Sequence, residues 1–375
     1  MKLNFKEFIK YIFSKLNLHI IKIGSKIHYI EEGTTETKVS EQTLSEIFRF
    51  FSKIDPFYND QIRKELLIAG AWKDDLKTRR KNQLKAIIKQ DKNLYRELLD
   101  NLFRSELISG LWDVSYFNKD TLGSIFSIEH TLILKKIIDS IYGKYEESFI
   151  VDGDFGKPWG VAIRKNKIVN YSDIVNYFYA TNCTQILRSQ SKDCPVFIDL
   201  GSGYGNLALK TAKMLETKSK FILIDIPLNL TTAYAYVKTN SDYDCNLICS
   251  LDELDRVKNT TLDSTTFYFI PSNFVEQIPN LINEIDLLYN HGSFSEMDKI
   301  TIDFYLDILT NKINCNYVYE INSNEPVLNT GGHIEIPSSE FGFPSHMKLI
   351  SKSPNIKSSR YVASLYRNTS KSQTH

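Results

Sequence analysis

The sequence predicts an α/β protein: a mostly parallel sheet with helices on both faces and an antiparallel last strand, preceded by a mainly helical N-terminal region. Three observations predict it. Beyond residue 194, short apolar runs (195–199, 221–224, 265–270, 285–290 and 317–321) alternate with helical patterns, as in strands joined by crossover helices. The first of these runs leads into a glycine turn, Gly201-Ser202-Gly203-Tyr204-Gly205, that opens a helix. Near the end, residues 347–351 and 361–366 read as a closing antiparallel pair.

A length of 375 residues suggests about two domains. The expected division is a helical region over 1–150, a β-hairpin and helix over 151–190, and the α/β domain over 191–368. The formal net charge is +1, so no strong overall field draws nucleic acid. The cysteines are Cys183, Cys194, Cys245, Cys249 and Cys315. An odd, sparse set reads as free thiols in a reducing compartment, hence a cytoplasmic protein. Cys245 and Cys249 have no second pair at zinc spacing, and no structural metal is expected. No apolar run reaches the ~18–20 residues of a membrane span. Lys10 and Lys15 interrupt the N-terminal apolar stretch, which argues against a signal peptide.

In chain order, Phe5, Ile9, Ile12, Phe13 and Leu16 share one helical face, with Lys6, Lys10 and Lys15 away from it. Such a helix lies on an anionic membrane surface or, more commonly, packs on its own domain or on a second copy in a homo-oligomer. Residues 23–42 read as a polar loop, and 45–51 and 60–69 as helices. Residues 74–111 read as one long helical region or two helices, with Asp91 as the cap between them. Arg79, Arg80, Lys81 and Lys85 form a basic cluster, whose commoner meaning is a solvated helix face rather than a nucleic-acid surface. A further amphipathic helix is predicted over 131–142. Residues 159–163 and 167–170 read as a hairpin turning at Lys165 and Asn166, and 171–189 as a helix leading into the glycine strand. Helices are expected over 228–238, 275–283 and 298–313. Residues 245–249 are of uncertain type, and 322–346 read as a long loop.

Ligands of such sheets bind beyond the carboxyl ends of the strands, at the switch point. Three features around the glycine turn narrow the ligand. The spacing is G-x-G-x-G, with Asn206 where a dinucleotide fingerprint requires glycine. Asp199 places a carboxylate ahead of the loop, where it would repel a pyrophosphate and attract an ammonium group. Asp225 ends the second strand, where doubly wound sheets hold the carboxylate that accepts from ribose hydroxyls. A ribose, a cationic amino-acid tail and no phosphate together describe S-adenosylmethionine. The expected cofactor set is Asp199, Gly201, Ser202, Gly203, Tyr204, Asp225 and Ile226, with Ser272, Asn273 and Phe274 reading adenine, and Asn290. Asn273 also reads as an ordinary helix cap.

The segment Tyr289-Asn290-His291-Gly292-Ser293-Phe294-Ser295-Glu296-Met297 ends the fourth strand. His291, with an ordinary pKa near ~6.5, suits a general base, and Glu296 suits a partner that orients it. The plainer reading of His291 is a cap on the following helix. Ser293 and Ser295 suit a polyol acceptor. Glu320 and Asn322 flank the fifth strand end, His333 lies on a loop able to cover an acceptor, and Trp159 lines a pocket or packs in the core. A metal site from His333, Glu335 and Glu320 lacks diagnostic spacing. The Asn-His-Gly sequence stands where enzymes that methylate base amines carry a proline-rich motif, which argues against nucleic-acid acceptors.

The stretches VFIDLGSGYGNLA, FILIDIP, IDLLYNHGSFSEMD and YVYEIN, in that order, resemble the sugar O-methyltransferases of bacterial surface-glycan clusters. These are class I S-adenosylmethionine-dependent enzymes with a Rossmann-like sheet. The resemblance covers about residues 150–325. It implies cofactor binding by Asp199, Gly201, Gly203 and Asp225, and a sugar hydroxyl of a capsule, a lipopolysaccharide or a precursor as acceptor. It does not designate the base. Two other readings stay open: a nicotinamide-dependent oxidoreductase, against which Asp199 and Asn206 count, and a catalytically silent scaffold of methyltransferase-like fold.

Overall fold

A computed structural model of the chain describes residues 30–32, 38–56, 80–108, 155–157, 159–163, 167–169, 171–259, 263–328, 333–355 and 360–370. The helices expected over 5–16, 60–69 and 131–142, the hairpin turn at Lys165 and Asn166, and the side chain of Trp159 lie outside what is described.

A small antiparallel sheet joins β1 (Ile30–Glu32), β2 (Trp159–Ile163) and β3 (Lys167–Val169) in that order. The β2–β3 hairpin agrees with the sequence reading. β1 falls in a stretch read as loop, because three residues offer too short an alternation to signal a strand without their partner.

Between β1 and β2 the described residues include three α-helices: α1 (Glu41–Phe51), α2 (Lys81–Lys89) and α3 (Lys92–Asp100). Asp91 caps α3, accepting from Leu94 N at 3.0 Å, as its position between two helical patterns predicts. The longest helix among the described residues is α4 (Tyr171–Arg188).

The main sheet contains β4 (Val196–Leu200), β5 (Lys220–Asp225), β6 (Asp244–Leu247), β7 (Thr266–Pro271), β8 (Glu284–His291) and β9 (Asn314–Ser323), with β12 (Met347–Pro354) and β13 (Tyr361–Asn368). Its order is β12-β13-β9-β8-β4-β5-β7-β6. All pairs are parallel except β13 with β9 and with β12. This is the mostly parallel Rossmann-like sheet with an antiparallel last strand that the alternation predicts. Its central strands read as continuous apolar runs because both faces are covered; every residue of β7 is buried. The helices after β4 are α5 (Asn206–Leu215), α6 (Pro227–Thr239), α7 (Leu251–Asn259) and α8 (Lys299–Leu306).

Several elements differ from expectation. Residues 245–249 belong to the edge strand β6 and the turn beyond it, and α7 carried no recognised signal. The helix expected over 275–283 is a 3₁₀ helix, Ser272–Asn280, with Pro279 inside it; a proline removes the N–H that an α-helix needs there. α8 continues as a π-turn, Asp307–Asn311. The loop 322–346 contains the short pair β10 (Val327–Leu328) and β11 (Ile334–Glu335).

Residues 38–56 and 80–108 pack against the sheet domain, α6 included. Leu44, Ile47, Phe50, Tyr95, Leu99 and Leu102 are fully buried in a hydrophobic cluster continuous with the sheet. Buried polar bonds fix the docking: Tyr95 Oη to Thr231 Oγ1 at 2.8 Å, and Gln83 Nε2 to Leu228 O at 3.0 Å. Arg80 belongs to this interface. Its guanidinium is fully buried, so the solvated basic face expected for it is corrected.

Candidate active site

The chain reverses direction across the sheet at β4, which lies between β5 and β8. That is the switch point, and the glycine turn leaves from it. Gly201, Gly203 and Gly205 all adopt positive φ, +74°, +59° and +79°. At Gly201 a Cβ would lie 2.2 Å from Ser293 Oγ, so the β8 loop sits directly on the turn. At Gly205 a Cβ would meet Val237 at 3.0 Å, so this glycine lets α6 approach.

The loop's amides are largely satisfied inside the protein. Gly201 N donates to Ile224 O at 2.8 Å, Gly205 N to Ser202 O at 2.9 Å and Gly203 N to Asp225 Oδ2 at 2.8 Å. A phosphate-binding loop presents such amides to its anion; this loop uses them to hold a carboxylate. A diphosphate therefore finds few donors and two aspartates.

Burial pushes the Asp199 carboxyl up to about 8, and the neighbouring Asp225 pushes it in the same direction. Burial likewise raises Asp225, to about 6. Hydrogen bonds from Gly203 N, Ile226 N and Asn229 Nδ2, and the charge of Arg80, act against that rise. The site holds two carboxyls that would ionise more readily beside a cation. Two further polar atoms are buried with no hydrogen-bond partner among the described residues: Ser202 Oγ in the turn and Asn273 Oδ1 beyond β7. Asp225 and Pro271 are directly paired across β5 and β7, which brings Asn273 to the same rim. These residues fit a ribonucleoside with a cationic tail. The turn and Asp199 would face the tail, Asp225 the ribose, and Asn273 the adenine amino group.

Other expected contacts are turned inward. The Tyr204 ring packs edge-on against Tyr236 and Phe103, at 5.0 and 5.7 Å, inside the core. Ser272 is buried and hydrogen-bonded to Tyr305, Phe274 packs in the core, and Ile226 is half-buried at the start of α6.

Asn290 is fully buried and joins a network. Its Nδ2 donates to Leu200 O at 2.8 Å and to Ser293 Oγ at 2.5 Å. Its Oδ1 accepts from Asn322 Nδ2 at 3.0 Å, and the same amide donates to Glu320 Oε2 at 2.8 Å. Glu320 Oε1 accepts from Ser338 Oγ at 2.5 Å. Ser295 is also fully buried; its N donates to Asn322 Oδ1 and its Oγ accepts from Ser323 N. The acceptor contacts expected of Glu320, Asn322 and Ser295 are therefore corrected: these side chains are sealed in and hold the β8 loop on the glycine turn.

His291 lies on the other face of the same strand end. Asp199 and Tyr289 are paired across β4 and β8, so His291 stands on the face of Asp199, one step of roughly 6–7 Å nearer the carboxyl edge. Its ring, half-buried, packs edge-on against Tyr179 of α4 at 5.2 Å and against Tyr289 at 6.4 Å. Glu296 contributes to the negative surroundings that, after burial, Glu335 and Arg360, act on the Tyr361 phenol. Glu335 is bound by Arg360 at 2.9 Å and is close to Tyr361 Oη, while Glu320 is engaged elsewhere. Among the described residues no three metal-ligating side chains gather. His333 is half-buried just before β11. The sequence reading missed Arg80, Asn229 and Tyr179. Asn229, four residues beyond Asp225, was the available signal.

No family model and no curated protein matches the chain. Solved structures match in part. The methyltransferase domain of bacterial CtHen1-CN is 16% identical with a TM-score of 0.35, the match covering 52% of this chain and 99% of that one. Magnesium protoporphyrin IX methyltransferase from Synechocystis, with bound S-adenosylhomocysteine, is 10% identical with a TM-score of 0.35, covering 64% and 97%. A protein of Listeria monocytogenes described as a class I S-adenosylmethionine-dependent methyltransferase is 10% identical with a TM-score of 0.35, covering 88% of each chain.

Proposed function

We propose that the chain is an S-adenosylmethionine-dependent O-methyltransferase acting on a sugar hydroxyl of a bacterial surface glycan or its precursor. The observation that carries this reading is the pair of Asp199, buried, and Asp225, half-buried, at the carboxyl edge of adjacent strands around a turn whose amides are used internally. That arrangement favours a cationic nucleoside over a diphosphate.

When bound, the cofactor supplies a methyl group on a sulfonium, open to in-line displacement. The chain's own tasks are to hold, align and deprotonate. Asp225 accepts from the ribose, Asp199 and the turn receive the amino-acid tail, and Asn273 binds the adenine. His291, at the rim on the face of Asp199, takes the proton of the attacking hydroxyl, with Glu296 in the proposed orienting role. Ser293, Trp159 and His333 are the remaining proposed acceptor contacts. The sugar is assigned on the sequence resemblance alone.

Calorimetric titration tests the reading. S-adenosylhomocysteine should bind with micromolar affinity and fail to bind Asp225→Ala, while NAD should not bind. NAD binding without S-adenosylhomocysteine binding would indicate the oxidoreductase, and no nucleotide binding the scaffold. For the base, His291→Ala should lower methyl transfer by about 10²–10⁴-fold with cofactor affinity kept. Unchanged turnover would remove His291 from the mechanism.

A further inference from the structure

Asp225 is not held by its own strand alone. Its Oδ1 accepts from Ile226 N at 2.7 Å and from Asn229 Nδ2 at 3.1 Å, and its Oδ2 accepts from Gly203 N at 2.8 Å. A carboxylate offers about two acceptor positions on each oxygen. Oδ1 is therefore filled, and Oδ2 keeps one position. The donor that fills Oδ1 is itself oriented: Asn229 Oδ1 accepts from Arg80 Nη2 at 2.9 Å. A guanidinium only donates, so it can meet only the oxygen of the Asn229 amide, and the NH₂ must then face Asp225. Arg80 is anchored from the other side by Leu107 O, and it is fully buried. Arg80 and Leu107 belong to the N-terminal segment, whereas Asn229 and Asp225 belong to the sheet domain.

We propose that Arg80 is a positioning residue for the ribose-binding carboxylate: through Asn229 it occupies Asp225 Oδ1 and leaves Oδ2 facing the ligand, so that the docked N-terminal segment completes the nucleoside site. The inference rests on the nucleoside reading above. The charge of Arg80 also favours the ionised form of Asp225, against the effect of burial. The other titratable groups facing this cluster are Asp199 across β4, Tyr305 of α8, and Tyr95 and Glu106 beside Arg80.

The test uses the full chain and two probes, 5′-methylthioadenosine and its 2′-deoxy analogue, with S-adenosylhomocysteine as reference. In the unaltered protein the hydroxyl should be worth about tenfold or more in affinity, as for a hydrogen bond to a charged acceptor. In Arg80→Met and in Asn229→Ala the ribose form should weaken by about tenfold and the deoxy form little, so the ratio falls toward one. The affinity of S-adenosylhomocysteine in Arg80→Met should also begin to fail at a higher pH, because Asp225 loses a nearby positive charge. Asn229→Ala keeps the Arg80 anchor on Leu107 and serves if Arg80→Met does not fold. If both variants retain the preference for ribose, or if both probes weaken equally, Arg80 is merely structural and the inference fails. If the unaltered protein binds neither probe nor S-adenosylhomocysteine, the function proposed above fails, and this inference with it.

Discussion

Asp199 sits in an environment far from its solution chemistry. Burial pushes its carboxyl up to about 8, far above an unfolded aspartate. Between those two values the folded state binds more protons than the unfolded one, so this residue lowers stability as pH rises from about 4 to about 8. Asp199→Asn removes that term. Its thermal midpoint should exceed that of the unaltered protein by more at pH 8 than at pH 5, and a gain equal at both pH values would contradict the assignment. Binding of a cationic tail should expel the proton, so S-adenosylhomocysteine should bind more tightly at pH 8 than at pH 6, a dependence that shrinks in the variant to the part set by Asp225. Both aspartates and the glycine spacing were legible in the sequence because their meaning is local to one strand-turn-helix unit. Which serine lies on Gly201 was not legible, since Ser293 arrives from a strand about ninety residues away.

The informative element is the end of β8 together with the loop that follows it. It carries His291 outward and is held from beneath by Asn290, Ser293 and Ser295 through Asn322 and Glu320. The segment was legible as important. The division of labour within it was not, because β-strand alternation assigns a side chain to a face only once the sheet partners are known. Asn290→Ala would leave Phe294 N and one N–H of Asn322 Nδ2 short of a buried partner, at about 1–3 kcal/mol for each group left unsatisfied, while Leu200 O keeps Ser293 Oγ. The expected outcome is a lower thermal midpoint with faster amide exchange confined to residues 291–297 and the glycine turn. Exchange unchanged there would mean that the network does not hold the loop.

Across the molecule, the N-terminal segment and the sheet are joined through one interior. Tyr95 of α3, Gln83 of α2 and Arg80 just before α2 reach α6 from elements that share the hydrophobic cluster of the sheet. Burial this continuous couples the two regions, so differential scanning calorimetry should give one unfolding transition. Two resolved transitions would show that the N-terminal region melts separately. Among the described residues no helix is long and apolar enough to cross a membrane.

What the sequence by itself determined is the repeating unit. Alternating strands and helices, the glycine turn with its flanking aspartates, and the antiparallel closing pair follow from hydrophobic period and turn chemistry, which are properties of neighbours along the chain. Only the tertiary structure decided that Arg80 is buried against Asn229, that Glu320 and Asn322 are sealed under the β8 loop, and that His291 shares a face with Asp199. Those outcomes depend on strand register and helix docking between segments as far apart as residues 80 and 229. The same arginine that reads as a solvated charge in sequence becomes an interior donor once a carbonyl and an amide oxygen are brought to meet it.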